Sequence, residues 1–280
     1  MRNNIYLGVD IGASKIRLGA IDSNGEVLSA KTIVINLTDP DKTLDLVKSE
    51  SDILKKRFQL TACGIGAPGP LDYRKGIISG SPNMENWNGL NLIDIFKNIT
   101  RIPCFIDRDS HNALRGERWL GHMRGAKNAL MLTWGSGVGG AAMINSGIYS
   151  GISGNAGELG HIIIDPKGPE CALGHKGCLE SFIGGKAIEK KYGKSMIEIC
   201  QEARDKKAET LKIIDEISIR LNQAIETYRQ IFDPEIIVFG GSISRSLSLF
   251  IKESNLVKSS LLGADSGLFG SAYLAMENKR

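Results

Sequence analysis

The stretch from Ile5 to Val34, IYLGVDIGASKIRLGAIDSNGEVLSAKTIV, decides the fold. An apolar run leads to Asp10 and a turn bearing Gly12, an alternating segment follows from Ile16 to Ile21, and Asn24-Gly25 is a hairpin signal before a third extended run. This grammar predicts a three-stranded meander. Residues 40 to 57 then carry Leu44, Leu46, Val47, Ile53 and Leu54 at mostly helical spacing, and CGIGAP (63–68) reads as a buried strand running into a Pro-Gly loop. The helix is therefore a crossover back onto the same sheet. A further apolar stretch, Pro103 to Ile106, precedes a helix-like segment from about Ser110 to Leu120, so the first 120 residues read as one mixed α/β domain.

The same grammar starts again at ALMLTWGSGVGGAAMINSGIYSG (129–151): strand, Gly-rich turn, strand, small hairpin. Such a duplication predicts two similar α/β domains facing each other across a cleft, each offering a Gly turn to it. Ile214, Ile217, Leu221, Ile225, Tyr228 and Phe232 mark one face of a long helix, and EIIVFGG (235–241) reads as a buried strand ending on glycines. The expected domains are 1–120, with a C-terminal helix at about 266–280 packing back on it, and 121–265.

Composition narrows the class. With 42% hydrophobic and 24% charged residues among 280, the chain can bury a sizeable core, which excludes disorder, collagen and coiled coil. Lys+Arg 35 against Asp+Glu 31 gives a net charge of +4, and the basic residues are scattered, so no nucleic-acid partner is expected. No apolar run approaches the roughly 18 residues of a membrane span, and MRNNIYLGVD lacks a signal-peptide core, so a cytoplasmic protein with no membrane partner is expected. Five cysteines, an odd number, fit reduced thiols or a metal.

Three glycine sites carry chemistry. Asp10-Ile11-Gly12-Ala13-Ser14-Lys15 puts a carboxylate at a strand end before a turn whose amides and Ser14 hydroxyl face phosphate oxygens, with Asp10 placed to hold hydrated Mg²⁺. A plain turn with a solvated Asp and Lys is the alternative. Gly135-Ser136-Gly137-Val138-Gly139-Gly140 lets backbone approach a polyphosphate without a clashing Cβ, although neither segment has the GK[ST] ending of a P-loop. Gly240-Gly241 suits a flat base or ribose, or a simple helix-start turn.

Taken in order, DIGASK, GIGAPGPLD, SPNMENWNGLNL, IDRDSHNALRGE, GSGVGG, AGELGH, CALGHKGCLE and IIVFGGSIS resemble the ROK (repressor, open reading frame, kinase) sugar kinases of the actin-like ATPase superfamily, over nearly the whole chain. The resemblance implies two ribonuclease-H-like α/β domains with a cleft between them, and ATP-dependent phosphorylation of a hexose hydroxyl, O6 by expectation. It implies ATP and Mg²⁺ as cofactors, and a homodimer. A sugar hydroxyl is a poor nucleophile at neutral pH and needs a base; the resemblance makes that base Asp109, with Asp107 as internal competitor. It puts Asn83, Glu158, His161 and Glu180 at the sugar, with Gly66 and Ala67 lining the same pocket. The family also contains repressors with an N-terminal DNA-binding module; here the first strand begins within a few residues of Met1, so a sugar kinase is expected over a DNA reader. A sugar-binding sensor that has lost catalysis stays open, as do N-acylmannosamine, fructose or glucose as acceptors.

Two departures from the family pattern stand out. Its structural zinc uses one His and three Cys; His161, Cys171 and Cys178 match, but Leu173 occupies the middle Cys position. Three ligands and a leucine do not close a tetrahedral site, and His175 is the substitute within reach; a site completed by water, or a loop without metal, are the alternatives. Arg108 stands where many members have Asn, next to the base, and His111 replaces a common Asn. The Arg108-Asp109 pair and GVDIGASKIR are similar to the allose kinase branch. Arg108 either enters the pocket, orienting a sugar hydroxyl or depressing the pKa of Asp109, or turns outward as a solvated helix-start residue.

Overall fold

A computed structural model describes residues 4–72, 75–80, 84–171 and 173–279. Its internal contacts divide it into two units: Met1–Gly121 with Ser150–Ala156 and Asp265–Arg280, and His122–Tyr149 with Gly157–Ala264. The expected boundary at 120/121 thus shifts by one residue. Segment 150–156, assigned to the second domain from sequence, packs with the first. Two hydrogen bonds hold it there: Arg108 Nη1 donates to the Ala156 carbonyl at 2.8 Å, and the Leu71 amide donates to Asn155 Oδ1 at 3.3 Å.

In chain order the first unit contains β1 (Ile5–Ile11), β2 (Lys15–Asp22), β3 (Val27–Val34), α1 (Pro40–Arg57), β4 (Leu60–Ala67), the short pair β5 (Leu71–Asp72) and β6 (Ile77–Ile78), α2 (Leu92–Thr100), β7 (Cys104–Arg108) and α3 (Asp109–Leu120). The second contains β8 (Ala129–Trp134), β9 (Val138–Ile144), β10 (Gly147–Ile148), α4 (Leu179–Ile183), α5 (Gly185–Tyr192), α6 (Met196–Arg204), α7 (Ala208–Phe232), β11 (Ile236–Gly240) and β12 (Val257–Ser259). The chain then returns to the first unit as α8 (Ser266–Lys279).

The two sheets repeat one topology. Their strand orders are β3-β2-β1-β4-β7 and β10-β9-β8-β11-β12, each an antiparallel meander extended by two parallel strands. The parallel additions require helical crossovers, which α1 and α2 supply in the first unit. Local signals set the ends of these elements. Pro40 opens α1 behind Asp39, whose carboxylate accepts the Lys42 amide at 3.3 Å. Asp22 ties the β2–β3 turn through the Asn24 and Glu26 amides, with Gly25 at φ +89°.

Strand alternation sorts the first sheet's two faces. Leu7, Val9 and Ile11 join Ile16, Leu18 and Ile65 against Val47, Leu54 and Phe96 of the crossover helices. On the other face Tyr6, Ile21 and Ala62 meet Leu268, Ala272, Ala275 and Met276 of α8. Glycine makes this second contact close. A Cβ on Gly8 would lie 2.5 Å from the Leu268 carbonyl oxygen, and one on Gly64 would run into the Ser271 carbonyl. Between α3 and α8, Gly116 meets the Ser266 carbonyl and Gly270 meets that of Asn112 with the same lack of room. The second unit buries Leu130, Leu132 and Trp134 against Leu179, Ile183, Leu221 and Tyr228, with Trp134 Nε1 donating to the Ile183 carbonyl at 2.8 Å.

Gly64→Ala is therefore expected to cost about 3 kcal/mol or more in urea unfolding, through overpacking against rigid backbone. Gly147→Ala, whose new methyl would meet nothing closer than 3.6 Å, is expected to stay within about 1 kcal/mol of the parent. Equal midpoints for the two variants would contradict the close docking of α8.

Candidate active site

Strands β1, β4 and β7 run parallel and end at Ile11, Ala67 and Arg108. Their register sets Asp10 beside Gly66 and Gly66 beside Asp107, so one sheet edge collects Asp10, Gly66, Ala67, Arg108 and Asp109. In open α/β sheets that edge, at the carboxyl ends of the strands, is where ligands bind. Gly12, Ala13 and Ser14 form the β1–β2 turn, closed by the Gly12 amide on the Lys15 carbonyl at 3.0 Å; Ser14 and Lys15 are exposed. Gly66 leaves space that its neighbours fill: a Cβ there would sit 3.0 Å from Asn112 Nδ2, 3.1 Å from Ser271 Oγ and 3.4 Å from Asp10 Oδ1.

The three aspartates of this edge have different surroundings. Asp107 is buried, hydrogen-bonded to His111 Nδ1 at 2.8 Å and ion-paired with Arg115 at 2.5 Å. Burial pushes its carboxyl up, but His111, Arg115 and the Arg108 amide outweigh that and hold it well below the usual carboxylate range. Asp107 is thereby committed to its buried partners at the β7–α3 junction. Asp109 opens α3, and its Oδ1 accepts the Ser110 amide at 2.6 Å. Asp10 packs on the first turn of α8, where a Cβ on Gly267 would come within 2.5 Å of its carboxyl carbon. Burial, then the charges of Asp109 and Asp265, push the Asp10 carboxyl up to about 7, against the opposing pull of Lys15 and Arg17.

Arg17 and Asp265 stand beside Asp10, and no motif in the sequence marks them. Arg17 lies directly across the β1–β2 pair from Asp10 and forms an ion pair with Asp265, just before α8. The alternation of β2 was the available signal for Arg17. Asp265 had none, because its neighbour lies at the far end of the chain.

Arg108 is 3% exposed, so it does not turn outward. Its Nη1 bonds to the Ala156 carbonyl, and its Nε lies 3.4 Å from where a Gly69 Cβ would be. Asn83 falls outside the described residues.

In the second unit, Gly135, Ser136 and Gly137 make the β8–β9 turn, closed by the Gly135 amide on the Gly137 carbonyl at 3.0 Å, and Gly139 follows on β9. Gly240 ends β11, and Gly241 adopts φ +85° with the Trp134 backbone against it, a position only glycine fills comfortably. Glu158 precedes a 3-10 turn at Leu159–His161, and His161 is its last residue. Glu180, on α4, accepts the Val138 amide at 2.8 Å and so braces the glycine turn, a task the sequence did not reveal.

The His/Cys loop folds so that its donors converge. The Cys171 amide donates to the His175 carbonyl at 2.9 Å and the Gly174 amide to the Cys171 carbonyl at 3.0 Å, a tight turn that carries His175 back toward Cys171 and leaves Leu173 exposed. His161, Cys171 and His175 bring their ligand atoms within 4.8 Å of one another. Cys178 is buried at the start of α4; burial pushes its thiol up, and the Cys171 thiol beside it adds to the effect. Two imidazoles and two thiols are a donor set that suits zinc.

Among the described residues no helix is long and apolar enough to cross a membrane. A family model described as "ROK family" matches residues 6–277. A glucokinase of Thermotoga maritima is 29% identical, covering 97% of this chain and 97% of its own length. The crystal structure of a ROK hexokinase from Thermus thermophilus superposes with a TM-score of 0.84 at 25% identity, covering 98% of each chain. A ROK family glucokinase from Streptomyces griseus, solved in complex with glucose and AMPPNP, shares the fold at TM-score 0.84 and 24% identity, over 98% of this chain and 100% of that one. With a family model matching over almost its full length, this chain belongs to the ROK family.

Proposed function

We propose that this protein is an ATP-dependent sugar kinase that phosphorylates a hexose hydroxyl, O6 of an aldohexose, with Asp109 as general base. The observation that carries this reading is the gathering of Asp10, Gly66 and Asp109 at the carboxyl ends of β1, β4 and β7, with Asp107 withdrawn into its contacts with His111 and Arg115. The chemistry is an in-line transfer. The sugar oxygen attacks the γ-phosphorus, the bond from that phosphorus to the β,γ-bridging oxygen breaks, ADP leaves, and Asp109 accepts the hydroxyl proton. In the first unit the Gly12–Ser14 turn is assigned to phosphate; in the second, Gly135, Ser136, Gly137 and Gly139 are assigned to phosphate and Gly240 and Gly241 to the nucleoside. Glu158 and His161 of the second unit are assigned to the sugar hydroxyls, and in the first unit Arg108, bonded to the Ala156 carbonyl, stands next to the base. The glucokinase names of the relatives favour glucose among the acceptors.

Asp10, Asp109 and Asp265 act on one another in the first unit's cluster, hard oxygen donors of the kind that fit Mg²⁺ at Asp10. Bound there, Mg²⁺ would neutralise charge on the transferring phosphoryl group.

Replacing the base isolates the chemical step. Asp109→Asn is expected to lower kcat by about 10²-fold or more, on the order of 3 kcal/mol, while sugar still raises the melting temperature. Near-normal turnover would remove Asp109 from the role.

Asp10 gives a stability test whose sign is fixed by linkage. Its folded-state pKa, about 7, lies above the ordinary 3.8, so the folded protein holds this proton more tightly and loses stability as pH rises from about 4 to 7. Asp10→Asn is therefore expected to raise the melting temperature by several degrees at pH 8, with little change at pH 4. A uniform drop at both pH values would contradict the buried-charge account.

For the loop, His161, Cys171, His175 and Cys178 are proposed to hold a structural zinc, with His175 in place of the missing cysteine. Elemental analysis is expected to find about one zinc per chain, lost in His175→Ala. Full retention of zinc by His175→Ala would exclude that ligand.

A further inference from the structure

The proposed reaction leaves Arg17 without a task. It faces the same side of the sheet as Asp10, because the two residues are direct partners across β1 and β2. Lys15, two residues earlier on the same strand, shares that face and sits where the phosphate-facing turn ends. Both cations act electrostatically on Asp10. The edge therefore presents a carboxylate for a cation and two basic side chains for an anion, side by side.

We propose that Arg17 is a contact for the terminal phosphoryl group of the nucleotide, and that Asp265 is the positioning residue that aims it. The proposal rests on the kinase reading above. A guanidinium offers five N–H donors in a planar fork that matches phosphate oxygens. In this structure one arm, Nη1, is taken by Asp265, while Nε is enclosed by protein and has no hydrogen-bond partner. An enclosed donor without an acceptor is costly, and a phosphate oxygen would satisfy it.

Asp265 is well suited to hold the fork. It directly precedes α8, whose backbone is locked onto β1, β4 and α3 by the glycine contacts described above. One partner of the ion pair thus stands immediately before a rigid element, at the end of the 3-10 turn Gly263–Asp265, and the guanidinium is aimed before any nucleotide arrives. A mere clasp for the start of α8 would explain the ion pair but gives Nε no role.

The test is direct nucleotide binding by calorimetry, with the Mg²⁺ complexes of AMPPNP and ADP. Arg17→Met is expected to weaken AMPPNP by about tenfold or more and ADP by less than about threefold, since a charge-assisted hydrogen bond to the terminal phosphoryl is lost only with the former. Arg17→Lys is expected to recover part of the AMPPNP affinity. Asp265→Asn is expected to weaken AMPPNP more than ADP, and to add nothing in the Arg17→Met background. Melting curves check folding, and Arg17→Gln replaces Arg17→Met if the latter does not fold. Equal losses for the two nucleotides, or a lowered melting temperature with both affinities intact, would reduce the pair to a structural clasp and overturn the proposal. Failure of the parent protein to bind either nucleotide would instead bring down the kinase reading.

Discussion

The docking of the last helix against the first sheet is the constraint on which the first unit depends. Backbone meets backbone there: Gly8 and Gly64 on the strands, Gly116 on α3 and Gly270 on α8 all sit where a methyl group has no room. Packing this close fixes α8 along its length and leaves little slack. Its far end is tied as well, by Arg115 of α3, which pairs with Glu277 at 3.5 Å and with Asp107. The segment that completes the unit comes from the end of the chain, after the whole second unit has intervened. The first unit's fold is accordingly a long-range contact, and its closure cost is met by a dense, shape-specific interface.

That interface also sets the electrostatics of the candidate active site. The first turn of α8 encloses the Asp10 carboxylate, and Asp265, just before it, adds a third negative charge to Asp10 and Asp109. Asp107 receives the opposite treatment two residues from Asp109. Its ion pair with Arg115 and its hydrogen bond to His111 hold it as an anion. Two carboxylates so close in sequence are thereby given different surroundings: one anchors the β7–α3 junction, and the other is the base proposed above.

The meander and its repeat were legible from sequence because alternation and glycine turns are local signals, and both sheets were built as that pattern implied. Helix α1 was read at residues 40–57 and spans Pro40–Arg57, because Asp39-Pro40 marks its start and its apolar spacing is regular. Helix α2 was not read; its nine residues offer only a short apolar pattern. Segment 150–156, rich in Gly, Ser and Asn, carries no periodicity, and hydrogen bonds to Arg108 and Leu71 decide its place. Motif order singled out Asp10, Gly66, Arg108 and Asp109, which the strand register gathers at one sheet edge. It could not reveal that Arg108 is buried, that Glu180 braces Val138, or that Arg17 meets Asp265, since each depends on residues distant in the chain. The approach of His175 to Cys171 is the intermediate case, a loop closure that the spacing allowed and the turn hydrogen bonds produce.

The account's central claim is phosphoryl transfer from ATP to a sugar. Phosphorus NMR of the protein with Mg-ATP and, in turn, glucose, allose, mannose, fructose, N-acetylmannosamine and N-acetylglucosamine tests it most directly. The account predicts that one hexose gives a new sugar-phosphate resonance growing in step with ADP, with a chemical shift and proton coupling that mark a primary phosphate ester. ATP that stays intact with every sugar, while one of those sugars still raises the melting temperature, would contradict it and leave a sugar-binding protein without transfer chemistry.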